Sequence, residues 1–161
     1  MATPTTLPSS FTTGDVLTAN QMNNLRGAFR ILQVVSASTT TLASSTSTTW
    51  IDTNLTATIT PQSTSSLILV VYSQDTYSSA ATTGMGWRLV RGSTTLDTIV
   101  DICYGTASGM LGHSTATYLD SPASTSAQTY KTQMNRNSGT GIVYSQPNSN
   151  RSSIILFEVS A

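Results

Sequence analysis

Leu67, Ile68, Leu69, Val70, Val71 and Tyr72 make the longest uninterrupted apolar run in the chain, and their reading decides the fold. The run is too short for a useful helix and rich in β-branched side chains. Turn-forming residues 61–66 precede it and polar residues 73–75 follow it. This pattern predicts a buried central strand. Just upstream, Leu55, Ala57 and Ile59 alternate with Thr56, Thr58 and Thr60, the two-residue period of a half-buried strand. The turn at 61–66 is expected to join the two as a hairpin that Trp50 opens, with Asp52 behind it. Near the end of the chain, residues 154–159 form a second apolar run able to pair with the central strand, which would tie the C-terminus into the core.

The rest of the composition agrees with a β protein. At 161 residues the chain suits one domain with a short appendage, long enough to bury a core without staples. Thr contributes 30 residues and Ser 25, while only 9% of residues are charged. Thr belongs on exposed strand faces and Ser on turns, so this predicts many short strands rather than disorder. Seven basic and seven acidic residues cancel and are scattered, which argues against nucleic acid or an anionic membrane as partner. The single cysteine, Cys103, excludes an internal disulfide framework and lacks Cys or His at zinc-ligand spacing. It reads as a small buried hydrophobe at a strand end, and neither metal nor cofactor is expected. No apolar stretch reaches membrane-spanning length, and the N-terminus lacks the basic and apolar regions of a signal peptide. The expectation is a protein made and kept in a cytoplasm, or assembled there into something larger.

Three segments follow in order. Residues 1–17, with Pro4, Pro8 and no hydrophobic period, read as an extended arm that only Leu7, Phe11, Val16 and Leu17 could anchor. Residues 18–30 read as one short helix. Thr18 and Gln21 form a capping box, and Met22, Leu25, Phe29 and Leu32 follow at helical spacing beside Asn23, Asn24, Arg26 and Arg30. So short a helix is marginal in water alone, so its stripe is expected to bury against the chain's own β domain or against the same helix of symmetry mates. Residues 31–161 read as all-β. Strands are expected at 31–36, through the hairpin, at 85–91, at 94–102 after the Gly92-Ser93 turn, at 115–120, 126–136 and 140–145, and at the closing run. Residues 38–49 are expected as a loop or weak edge strand, and 77–84 and 104–114 as exposed loops. Nine or ten strands at this spacing predict an antiparallel β-sandwich of jelly-roll type.

Catalytic motifs are weak. His113, the only histidine, lies near Ser114 and Asp120, but no Gly-x-Ser-x-Gly elbow accompanies it, so a surface or subunit-contact histidine is the better reading. The carboxylates are mostly isolated in sequence, and residues 105–112 lack the Lys and Ser/Thr of a phosphate loop. An enzyme is not expected. Trp50, Trp87, Tyr77, Tyr104 and Tyr118 could stack on a sugar, though alternation sends Trp87 to the core and leaves tyrosines at the sheet edges.

Four stretches carry a resemblance: Gly-Asp-Val-Leu-Thr-Ala-Asn-Gln-Met-Asn-Asn-Leu-Arg at 14–26, Leu-Asp-Ser-Pro-Ala-Ser-Thr-Ser-Ala-Gln-Thr-Tyr-Lys at 119–131, Ser-Ser-Ile-Ile-Leu-Phe-Glu-Val at 152–159, and residues 50–72. Together, about half the chain, they resemble small virion structural proteins of tailed bacteriophages, of the capsid-decoration, head-fibre or tail-fibre type. The resemblance implies a jelly-roll-like domain, often homotrimeric, attached to the particle through its N-terminal segment, and it carries no active site. Ser66 departs from the pattern, standing where a Lys is expected before the central strand, and the chain is short for a fibre shaft. The expectation is therefore a homotrimeric knob or cement protein in the virion. It would be anchored to the major capsid protein or another virion protein by Phe11, Leu17, Met22, Leu25 and Phe29. The alternative is a tail-fibre or tail-tip module whose loops, bearing Tyr77, Tyr104 and His113, contact host surface glycan.

Overall fold

The computed structural model describes residues 31–160 together with Thr13, Gly14 and Val16. The expected arm and helix, and with them the proposed anchors Phe11, Leu17, Met22, Leu25 and Phe29, lie outside the described residues. Ten strands follow one another: β1 (Ile31–Thr39), β2 (Ala43–Ser45), β3 (Ile51–Ile59), β4 (Leu67–Ser78), β5 (Met85–Arg91), β6 (Thr94–Ile102), β7 (Met110–Asp120), β8 (Gln128–Arg136), β9 (Val143–Ser145) and β10 (Ser152–Val159). They form two antiparallel sheets packed as a sandwich. One runs β3-β8-β5-β6. The other runs β1-β10-β4-β9-β2, with β7 along the opposite edge of β4.

The central run behaves as expected, and β10 pairs with it antiparallel, Ile154 opposite Tyr72 and Val159 opposite Leu67. Alternation in β4 sends Ile68, Val70 and Tyr72 inward, where they meet Leu55, Ala57, Ile59, Trp87, Leu89, Tyr130, Met134 and Leu156. β5 and β6 form the expected hairpin, with Gly92 at φ 57° supplying the left-handed position that its tight turn needs.

Three expectations need correction. First, β3 and β4 are not a hairpin: they lie in different sheets, and residues 60–66 cross between them. A Pro- and Ser-rich turn signal marks a change of direction and does not say whether the next strand pairs or crosses the core. Second, β4 runs on to Ser78. Third, β7 starts at Met110, so the expected loop at 104–114 shrinks and His113 lies in a strand. Both extensions have one cause, because β4 and β7 pair continuously from Ile68–Asp120 to Ser78–Met110. A long ladder of backbone hydrogen bonds outweighs the weak strand propensity of Gly112 and the Ser-rich segment.

The inward residues of the second half of β4 are Gln74, Thr76 and Ser78, all fully buried. A buried hydroxyl or amide is costly unless bonded. Gln74 donates to Thr53 Oγ1 (3.1 Å), and the Thr53 and Thr132 hydroxyls share a 2.5 Å bond. Gln146 completes this network when its amide is assigned so that donors meet acceptors: its oxygen then accepts from Gln74 Nε2 (3.0 Å) and Ser152 Oγ (2.7 Å), and its nitrogen donates to Thr41 O and Thr53 O (both 3.1 Å). The core is therefore apolar at one end and hydroxyl-lined at the other. Across it, Asp120 at the end of β7 clasps the facing sheet, accepting from Arg91 Nη1 (2.5 Å) and the Tyr130 hydroxyl (2.7 Å).

Candidate functional site

The two outward faces of the sandwich differ in kind. On the β3-β8-β5-β6 sheet most outward residues are polar and several are laced together, with Val100 of β6 the large apolar side chain left exposed there. Lys131 Nζ and Gln133 Nε2 donate to Asp52 (2.8 and 2.7 Å), Arg88 Nε donates to Gln133 (2.7 Å), and the Arg88 guanidinium lies 4.8 Å over the Trp50 ring. This is the ordinary solvated face of an antiparallel sheet.

The outward face of the other sheet starts apolar. Register places Val34, Phe157, Leu69 and Leu119 in one row across β1, β10, β4 and β7. Ser36, Ile155, Val71 and Thr117 form the next row, and Ile31, Val159 and Leu67 the row on the other side. Ile31, Val34 and Leu119 are each more than half exposed. Large apolar side chains aligned in adjacent rows make a continuous patch, unlike the scattered leucines that any surface carries.

Further along β4 the same face turns polar. Ser38, Ser153, Ser73 and Thr115 make a hydroxyl row, and the next pair is Asp75 opposite His113. His113 Nδ1 is hydrogen-bonded to Asp75 Oδ1, its Nε2 lies 2.6 Å from Ser73 Oγ, and Thr115 Oγ1 donates to Ser73 (3.0 Å). The sequence neighbours of His113 are thus not its partners. Ser114 projects to the other face of β7, and Asp120 is taken by the inter-sheet clasp. Ser73, His113 and Asp75 are connected in the order of a hydrolytic triad, but a triad also needs donors aimed at a developing oxyanion. Ser73 stands between β10 and β7, in register with Ser153 and Thr115, so its backbone belongs to the ladders on both sides. The cluster makes a hydrogen-bonded relay on the outward face of the sheet.

One residue pair beyond lies the row Ser44, Tyr144, Tyr77, Leu111. The Tyr77 and Tyr144 rings sit 5.5 Å apart at 53° and, with Leu42, Leu111, Pro147 and Asn148, line an open cleft of about 360 Å³. Of the expected recognition residues, Tyr77 lines this cleft, while His113 is not among the lining residues and lies two residues along β7 from Leu111; both sit in strands rather than loops. Tyr104, half exposed, is not among the lining residues. Tyr144 and Asp75 were not singled out from the sequence. Their signal is register alone, which places Tyr144 opposite Tyr77 and Asp75 opposite His113.

Cys103 directly follows β6 and is partly buried, its Sγ 2.9 Å from the Met110 carbonyl oxygen. Among the described residues no three His, Cys, Asp or Glu side chains cluster as metal ligands, and no helix is long and apolar enough to cross a membrane. In comparisons with known proteins, no family model and no curated protein matches the chain.

Proposed function

We propose that the chain is a structural component of a tailed-bacteriophage virion: a homotrimeric capsid decoration protein of the knob or head-fibre kind, assembled in the host cytoplasm and held to the major capsid protein or another virion protein by its N-terminal segment. It acts by adding buried contact area and not by catalysis. The observation that carries this reading is the apolar outward face built on Val34, Phe157, Leu69 and Leu119, set against the charged and laced face of the opposite sheet. A sandwich with one solvated and one apolar face is suited to association, and second copies of the chain are the occupants this reading assigns to it. The face belongs to the sheet that contains both β1 and β10, the first and last strands among the described residues, so association would also brace the point where the N-terminal segment joins β1. Interfaces of about 800 Å² per partner suffice for stable association, and three N-terminal segments on one trimer add avidity without new contacts.

The test is a reconstruction of the intact particle together with removal of residues 1–30. The expected outcome is trimers distributed over the capsid lattice, with the truncated protein still trimeric but no longer retained on particles. Density confined to the tail or a single vertex would overturn the decoration reading. It would favour the competing one, a tail-fibre or tail-tip module, whose support on the molecule is the Tyr77–Tyr144 cleft.

A further inference from the structure

We infer that the cleft between Tyr77 and Tyr144 is a binding site for a single neutral hexopyranose unit of a glycan. The inference holds for a capsid or a tail location alike, because it rests on the lining and its surroundings. Tyr77 and Leu111 are registered neighbours on β4 and β7, Tyr144 joins them from β9, and Leu42 and Pro147 close the sides. Leu42 and Leu111 are each more than half exposed. The volume, about 360 Å³, falls at the lower end of small-molecule sites, which run from roughly 300 to 1,000 Å³.

The chemistry of the lining selects the ligand. Tyrosine offers an apolar ring and a hydroxyl at its tip, which matches a ligand with an apolar C–H face and a polar rim. A pyranose has both. At the rim stands Asn148, exposed and able to donate and accept at once, as adjacent sugar hydroxyls require. Its turn is unusual: Gln146, Asn148 and Ser149 all have φ between 57° and 59°, a conformation that costs energy at non-glycine residues. The turn is held there by the buried Gln146 amide network, by Gln146 N donating to Asp75 O (3.2 Å) and by Asn150 N donating to Pro147 O (3.0 Å). Asn148 is thus presented on a fixed backbone, which lowers the ordering cost of binding. The next outward pair along β4 and β7, Asp75 opposite His113, lies on the same face. The lining contains no charged side chain, so nothing in it selects an anionic or a cationic ligand over a neutral one. The cleft lies six residues along β4 from Val71, about 20 Å at the strand rise, so covering the apolar rows leaves it open.

The experiment uses the purified full chain and a panel of methyl α- and β-hexopyranosides (gluco, galacto and manno), with N-acetyl-leucinamide as a mimic of an apolar peptide side chain. Saturation-transfer NMR and amide chemical shifts are the readouts. At least one glycoside should receive saturation on its C–H face and shift the amides of Leu42, Tyr77, Leu111, Tyr144 and Asn148. Asn148→Gly keeps the positive φ without strain and removes the side-chain amide, and it should weaken binding about tenfold. Tyr144→Ala should abolish binding, and its fold is checked by circular dichroism. If Tyr144→Ala fails to fold, Asn148→Gly decides alone. The inference is overturned if no glycoside shifts those amides, if the shifts map elsewhere, if Asn148→Gly binds like the parent, or if the leucine mimic occupies the cleft in preference to every sugar. Because the measurement is made off the particle, its failure leaves the virion assignment standing, and the reverse also holds.

Discussion

Glu158 is the residue whose setting says most about the fold's tolerance of pH. It is fully buried, facing inward from β10 between Phe157 and Val159, which face out. Burial by itself would raise its carboxyl pKa, but the Gln33 amide (2.6 Å) and the Gln62 backbone N–H (2.7 Å) bind the charged form and hold the carboxyl below its usual value. A depressed folded pKa stabilises the protein above the unfolded carboxyl value, about 4.3, and that contribution is lost as pH falls through the folded value. Glu158→Gln should therefore cost about 1–3 kcal/mol near neutral pH, and the gap to the parent should narrow as pH drops below about 4. Urea unfolding across pH measures this, and a gap that widened in acid would contradict it. At the alkaline end, burial pushes the Tyr72 phenol up to about 12, and burial together with the Asp120 carboxylate raises Tyr130. Raised phenols stabilise the fold below the unfolded value, about 10, and that stability is lost above it. A phenolate absorbance titration should show these two of the six tyrosines lagging the guanidine-unfolded chain.

At the scale of the element, β4 shows what is legible and what is not. Residues 67–72 announce a strand because both faces are apolar, and a continuous run is the loudest signal a short strand can send. Residues 73–78 belong to the same strand but send none, because their inward positions Gln74, Thr76 and Ser78 are polar: Gln74 and Thr76 donate to Thr53 Oγ1 and Gly112 O, partners far away in sequence, and Ser78 to the nearby Thr83 O. The hairpin expectation for β3 and β4 fails for a related reason. Local turn chemistry was readable at 61–66, while the choice of sheet is made by long-range pairing with β8 and β10. The site was half legible: Tyr77 and His113 stood out by residue type, but Asp75, Ser73 and Tyr144 join them only through register. The polar half of the core makes a prediction that hydrophobicity alone would reverse. Gln74→Leu adds apolar character to a fully buried position, yet it should destabilise by about 1–3 kcal/mol, because Gln146 and Thr53 lose a buried partner. Denaturant midpoints decide, and an equal or higher midpoint would mean that the network contributes nothing net.

At the scale of the molecule, the asymmetry between the two outward faces separates association from folding. Leu119 is 56% exposed, so replacing it removes little core packing and should change the stability of an isolated domain by no more than about 0.5 kcal/mol. The same change would place a guanidinium among Val34, Phe157 and Leu69 at a contact between copies, where an unpaired buried charge is strongly unfavourable. Leu119→Arg should therefore yield a folded monomer, while Thr58→Arg on the laced face, where Thr58 meets Thr129 at 2.8 Å, should leave association intact. Sedimentation velocity on both variants with residues 1–30 present, and again with them removed, locates the contact. If Leu119→Arg dissociates the protein in both backgrounds, the sheet face holds the copies together and the N-terminal segment is left to attach them to the particle. If it remains a trimer until residues 1–30 are removed, the segment joins the copies and the apolar rows are covered by something else. Association unchanged by both alterations together would place the contact on neither surface, and the trimer proposed through this face would fall with it.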